Sequence, residues 1–144
     1  MSKTISSKSE LEIQRGIRLV EDDLVISIQS ALDTCEYPKD GRDKLEESQF
    51  RNLVRVADTT ESPEVVKNFL RYQVGRERKW GRGGKSLAEG IIQAIDGDLK
   101  TTAGEIATAA AEPNEKKRVW IELIRRYLGY GARYLKYLNS TREG

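Results

Sequence analysis

The side chains best equipped for chemistry lie in residues 72–86, YQVGRERKWGRGGKS, where five basic residues meet one acidic residue and the run ends in Gly-Lys-Ser. Two chemistries suit that composition: a loop that cradles the phosphates of a small nucleotide, or a grip on the phosphates of a polymer. Spacing separates them. A Walker loop places a glycine five positions ahead of the glycine that precedes its lysine, so that the chain curls and several backbone N–H groups converge on one anion. Counting back from Gly84 reaches Lys79 instead, and the preceding NFLRYQVGRERKW lacks the β-rich strand that delivers such a loop to a helix. What remains is a glycine hinge, at 75–86, bearing Arg76, Arg78, Lys79, Arg82 and Lys85 around Trp80 and preceded by Arg71 and Gln73. Arginine and lysine hold phosphates without reading sequence. Trp80 either stacks on an unpaired base or tucks against the core.

A second concentration of charge lies in residues 113–144, with eight basic residues against three acidic. There Lys117, Arg118, Arg125, Arg126, Arg133 and Lys136 either continue the basic track or keep a helix soluble. The charge is polarised along the chain: residues 1–62 carry 9 basic and 13 acidic side chains, residues 63–144 carry 16 and 10. Such an imbalance suits a polyanion on one side and a protein neighbour of opposite charge on the other.

Other chemistry is poorly supplied. The chain has no histidine and one cysteine, Cys35, which removes an intramolecular disulfide, the usual zinc sites, histidine bases and the common nucleophilic triads. Glu21-Asp22-Asp23 and Asp96-Gly97-Asp98 are the only raw material for a carboxylate-metal nuclease, and neighbouring residues on a helix point about 100° apart. The expectation is therefore no catalytic residue, no metal and no cofactor. No apolar run approaches the length of a membrane span, and the polar start MSKTISSKSE lacks the core of a signal peptide, so a cytoplasmic protein is expected.

With 33% charged residues, 7% aromatics and three prolines, the composition favours an all-α fold. Ile13, Ile17, Val20, Leu24, Ile28, Ala31 and Cys35 recur at steps of three and four, predicting one long helix over 10–35. A second helix is expected at 44–58. A third is capped by Ser62, with Pro63 in its first turn and Val65, Val66, Phe69, Leu70, Tyr72 and Val74 packing it. The fourth starts near Ser86 and is kinked or divided at Gly97. Asn114 caps a last helix reaching Leu138, whose wide apolar arc includes Trp120, Tyr127, Gly131 and Tyr134 and leaves Tyr130 and Tyr137 for an interface. The predicted architecture is a compact bundle of about five helices in one domain, 10–140, with disordered ends at 1–9 and 141–144.

Two segments carry a family likeness: ESQFRNLVRVADTTESPEVVKNFLRYQVGRERKW and RRYLGYGARYLKYL. Together they resemble, over roughly residues 46–138, the small helical subunit of CRISPR interference complexes, above all those of the type I-D and type III systems. The resemblance implies a non-catalytic subunit present in several copies, stacked inside an RNA-guided assembly beside guide RNA and target DNA or RNA. It also implies other effector subunits as partners. On this chain the matching positions are Gln49, Arg51, Asn52, Arg55, Arg71, Gln73 and Arg76, while the loop from Arg78 to Ser86 has no clear counterpart. The rival expectations are a helical assembly module that does not touch nucleic acid and, less favoured, the carboxylate-metal nuclease.

Overall fold

Helices begin where the sequence supplies a side-chain oxygen to accept the otherwise unpaired N–H groups of a first turn. In the computed structural model, which describes residues 5–143, Ser6 Oγ accepts from the Ser9 amide and opens α1 (Ser7–Leu19). Glu46 opens α3 (Glu47–Thr59) through a reciprocal box in which its own amide donates to Gln49 Oε1. Ser62 caps α4 (Pro63–Arg76) and Ser86 caps α5 (Leu87–Ala94). Between them lies α2 (Glu21–Thr34), and after α5 come α6 (Lys100–Ala109) and α7 (Lys116–Glu143). A π-helical turn, Ile95–Leu99, joins α5 to α6 into one rod, so the described residues form six rods and no strand. The all-α bundle expected from composition is the fold observed.

Several boundaries differ from expectation. The single helix predicted over 10–35 is two, broken at Val20, where the acidic trio Glu21, Asp22 and Asp23 begins α2. Three carboxylates in a first turn sit favourably at the positive end of a helix dipole; they mark a start, whereas the hydrophobic stripe runs on through the break. Helix α1 occupies residues expected to be disordered in 1–9, of which 1–4 lie outside the described residues, and α7 continues through 141–143. A short 3-10 turn, Pro113–Glu115, precedes α7 in place of an Asn114 cap. Helix α6 ends with Ala111 at positive φ, its amide bonded to Thr108 O and that of Glu112 to Ala107 O, a closure usually given to glycine.

The core gathers around α7. At 28 residues it is about 42 Å long and contributes Val119, Trp120, Ile121, Leu123, Ile124, Tyr127, Leu128 and Leu135 to the buried cluster. Gly131 lets α2 and α3 approach closely, because a Cβ there would lie 2.7 Å from Ile28 and 2.6 Å from Phe50. Two side chains fix the π turn from opposite sides: Trp120 Nε1 donates to Ile95 O at 2.8 Å, and the buried Lys67 of α4 reaches Asp96 at 2.6 Å and Glu64 at 2.8 Å. Burial opposes the charge on Lys67, but the two carboxylates outweigh it and hold its pKa above the ordinary value. A raised lysine pKa stabilises the fold fully below the unfolded value and loses that contribution only at strongly alkaline pH, so the link is intact near neutrality.

A matched pair of glycines on α7 tests the close approach. Gly131→Ala should destabilise the protein by about 1–3 kcal/mol through overpacking. Gly129→Ala, where a Cβ meets nothing within 4 Å, should stabilise it by about 0.4–1 kcal/mol. Urea denaturation of the two variants reads both signs.

Candidate nucleic-acid interface

The basic loop is a framed structure. Helix α4 ends when the Glu77 amide bonds Gln73 O and its backbone turns extended. The chain then reverses through a turn closed by Gly81 N and Arg78 O, 3.0 Å, and another closed by Ser86 N and Gly83 O, 3.2 Å. Gly81 and Gly83 both have positive φ, and a Cβ at Gly81 would collide with the carbonyl of Glu36, so glycine is required there by conformation and by space. The middle of the loop is clipped to the start of α5 where Ala88 N donates to Trp80 O at 3.1 Å. Its base is stitched to the α2–α3 connection by Glu36 N to Lys85 O, 2.8 Å, and Leu87 N to Glu36 O, 3.0 Å. From the other side Lys79 Nζ donates to Lys44 O at 3.2 Å.

These bonds bear directly on the nucleotide-loop alternative. The amides of Ser86, Leu87, Ala88 and Glu89, which a phosphate at the start of α5 would need, already donate to Gly83 O, Glu36 O, Trp80 O and Ser86 Oγ. A phosphate cradle built on the N-terminus of α5 is therefore not on offer, and the exposed part of the loop presents charged side chains. Arg76, Arg78, Arg82 and Lys85 are exposed and none makes an ion pair among the described residues.

Of the two readings of Trp80, the structure shows the one tucked against the core, which removes it from the candidate nucleic-acid-binding residues. Its ring is fully buried, 5.5 Å from Phe50, so it has no open face for a base and serves as the anchor that seats the loop on the core. The indole N–H finds no acceptor among the described residues, so its hold is one of packing. The aromatic expected to pack α4, Tyr72, lies instead on the surface. Cys35 is partly buried, and its Sγ would lie 2.8 Å from a Cβ at Gly90.

The basic face of α7 is a second correction, because most of it is spent inside the molecule. Arg118 pairs with Glu10 at 2.7 Å and Glu115 at 3.2 Å. Arg126 pairs with Glu21 at 2.7 Å and Glu122 at 3.1 Å. Arg125 donates to Ala57 O and Thr60 O, each at 2.9 Å, and approaches Glu61 and Glu122. It thereby satisfies carbonyls left open at the C-terminus of α3, where positive charge also suits the dipole. Lys136 stands 3.8 Å from Glu47. Of the six named on this helix, Lys117 and Arg133 are exposed without an ion pair among the described residues. The two basic regions adjoin only at the end of α7, where Asn139 donates to Leu45 O beside the Lys44 carbonyl that Lys79 holds; the N-terminal part of α7 is remote from the loop. Arg125 is tied beside the start of α4 and the loop leaves its end, 14 residues away, or about 20 Å.

Residues carried over from the family likeness divide between exposure and packing. Arg51, Arg55, Arg71 and Arg76 are exposed, Gln73 is half-buried, and Arg55 bonds only its neighbour Asn52 at 3.0 Å. Two of the five carboxylates considered for a nuclease are committed elsewhere, Asp96 to Lys67 and Glu21 to Arg126. Among the described residues no group of three or more His, Cys, Asp or Glu side chains could hold a metal ion. No described helix is long and apolar enough to cross a membrane. Family models, curated proteins and solved structures offer no match to the chain.

The carbonyls under Arg125 give the second prediction. Arg125→Ala should lower stability by about 1–3 kcal/mol, since two acceptors lose a charged donor, and should leave affinity for a polyanion unchanged. Thermal denaturation and a salt-dependent binding assay on the same sample check both halves.

Proposed function

We propose that this chain is a non-catalytic subunit that holds nucleic-acid backbone, and that it does so as the small helical subunit of a CRISPR RNA-guided effector complex. The observation that carries the reading is the loop at 75–86: four exposed cations without carboxylate partners among the described residues, on a segment pinned to the core by Trp80 and by the backbone bond from Glu36 to Lys85. Such an arrangement meets phosphates and leaves base identity unread, the division of labour of RNA-guided systems, in which pairing with a guide supplies sequence. The assembly is taken from the likeness of residues 46–138 to CRISPR small subunits, with guide RNA and target or displaced strand, other effector subunits and further copies of this chain as partners in the cytoplasm; the loop, which has no clear counterpart in that family, enters on its charge alone.

Joint replacement of Arg76, Arg78, Arg82 and Lys85 by alanine should weaken binding to single-stranded RNA and DNA at least about tenfold at low salt and flatten log K against log salt by up to about 3. Unchanged affinity and slope would remove the loop from the function. The assembly is tested separately by affinity purification of the tagged chain from its host, where recovery of other effector proteins with processed guide RNA is expected. Recovery of the chain alone, free of RNA, counts against it.

One observation favours a second reading, a helical assembly module. Between α2 and α7 runs an open groove of about 400 Å³ lined by Val25, Gln29, Tyr130, Arg133, Tyr134 and Tyr137, with Ile26 exposed on the same helix α2. Tyrosine and arginine around apolar surface are the composition of protein contacts. If this groove joins copies, Tyr137→Glu should shift the sedimentation coefficient of the concentrated protein to that of a monomer; identical sedimentation of both forms would withdraw the reading.

A further inference from the structure

With Trp80 buried, the stacking of a base needs another aromatic, and the described residues expose two large ones, Tyr72 and Tyr137, each 60% accessible. Their surroundings differ in charge. Tyr137 stacks on Tyr134 at 5.9 Å, and the Tyr134 hydroxyl donates to the Asp33 carboxylate at 2.8 Å, which places an anion on that face. Tyr72 belongs to an open groove between α3 and α4, of about 630 Å³, lined also by Val56, Val65, Asn68, Phe69 and Arg71. Arg76 follows one helical turn along from Tyr72, and Asn68 precedes it by one turn, so all three share a face. Arg71 and Arg76 are exposed and make no ion pair among the described residues. The acids at the far end of α4 are occupied, Glu64 with Lys67 and Glu61 with Arg125. The groove therefore combines one accessible ring, apolar walls and positive charge without an ion pair among the described residues, and Arg76, one turn beyond Tyr72, leads from it to the basic loop at the end of α4.

We propose that Tyr72 is the platform on which an unpaired base of a single strand stacks, with Arg71 and Arg76 holding the phosphates beside it. The inference rests on the loop's reading as a backbone grip and refines it from nucleic acid in general to single strands. A duplex keeps its bases stacked on each other, so an aromatic face has nothing to receive from it. The amide of Asn68 offers a donor and an acceptor to a base edge without dictating which base.

Three probes separate the contributions: a labelled oligothymidylate, an abasic oligomer of equal length, and a duplex, each titrated with the full chain by fluorescence anisotropy at several salt concentrations. Tyr72→Ala should weaken oligothymidylate binding by about 5- to 150-fold while leaving the abasic oligomer, the duplex and the salt slope as they were. Tyr72→Phe should bind like the parent. Arg71→Ala should weaken binding of all three probes and reduce the slope on the single strand by about 0.7. Equal binding of oligothymidylate and abasic oligomer by the parent chain would overturn the proposal, as would an equal loss on all probes in Tyr72→Ala. A change in oligomeric state of Tyr72→Ala with binding intact would make the groove a protein contact instead. Failure of the loop reading is told apart from these by a variant that keeps Arg76: with alanine at Arg78, Arg82 and Lys85 alone, the chain would then bind every probe as the parent does, whatever Tyr72 contributes. No binding of any probe at low salt would overturn both.

Discussion

One constraint organises this molecule: α7 is a long helix that must bury a wide apolar arc and dispose of a dense row of arginines at once. The arc is covered by five shorter rods, none of which has to be hydrophobic all round because each meets α7 along a single stripe. The arginines are resolved by geometry. Arg118, Arg125 and Arg126 leave the arc at its edges, where Glu10, Glu21 and the open carbonyls of α3 are brought within reach. Side chains of this kind are worth little as exposed ion pairs, but each of these links α7 to a different element. Their collective effect is on register, fixing which turn of α7 faces which partner.

That constraint also explains what the sequence made legible. Helix type, the Ser62 and Ser86 caps and the wide apolar arc of the last helix follow from local rules, because capping and amphipathic periodicity are properties of adjacent residues; at Gly97 the expected kink or division is a π turn that keeps the rod continuous. The break at Val20 escaped the hydrophobic pattern because the stripe continues in phase across it; the acidic trio that follows was the available signal. The site was legible only in part. Composition located the basic loop, yet the burial of Trp80 and the exposure of Tyr72 depend on how the loop folds back against Glu36 and Phe50, contacts distant in sequence. In the same way the charge row of 113–144 promised a binding face, and partners a hundred residues away took it.

The loop's own construction sets the style of any recognition it performs. With the amides at the head of α5 bonded internally, the helix N-terminus has no donors left to select a small anion of defined shape. Long flexible side chains on a fixed base do the opposite: the charge stays put to within a side chain's reach, while each guanidinium or ammonium adjusts to whatever phosphate spacing it meets. Glycine has two roles in this. Gly81 is a steric necessity beneath Glu36, whereas Gly84 faces open space and leaves the tip uncrowded.

Affinity from such a surface is bounded by electrostatics. Four cations neutralise about four phosphates, each returning less than one condensed counterion to solution, and nonspecific contacts of this order give dissociation constants of about 10⁻⁴–10⁻⁶ M at physiological salt. A single copy would exchange rapidly with solvent. If copies are aligned so that their loops follow one strand, later contacts become intramolecular and avidity rises by about 10²–10⁴ without any new interaction. The weak individual grip then has a use of its own: it lets the strand shift register while pairing with a guide is sampled, and it holds firmly only once the whole row is engaged. On the proposed reading, modest charge on each chain and repetition of the chain are two halves of one mechanism.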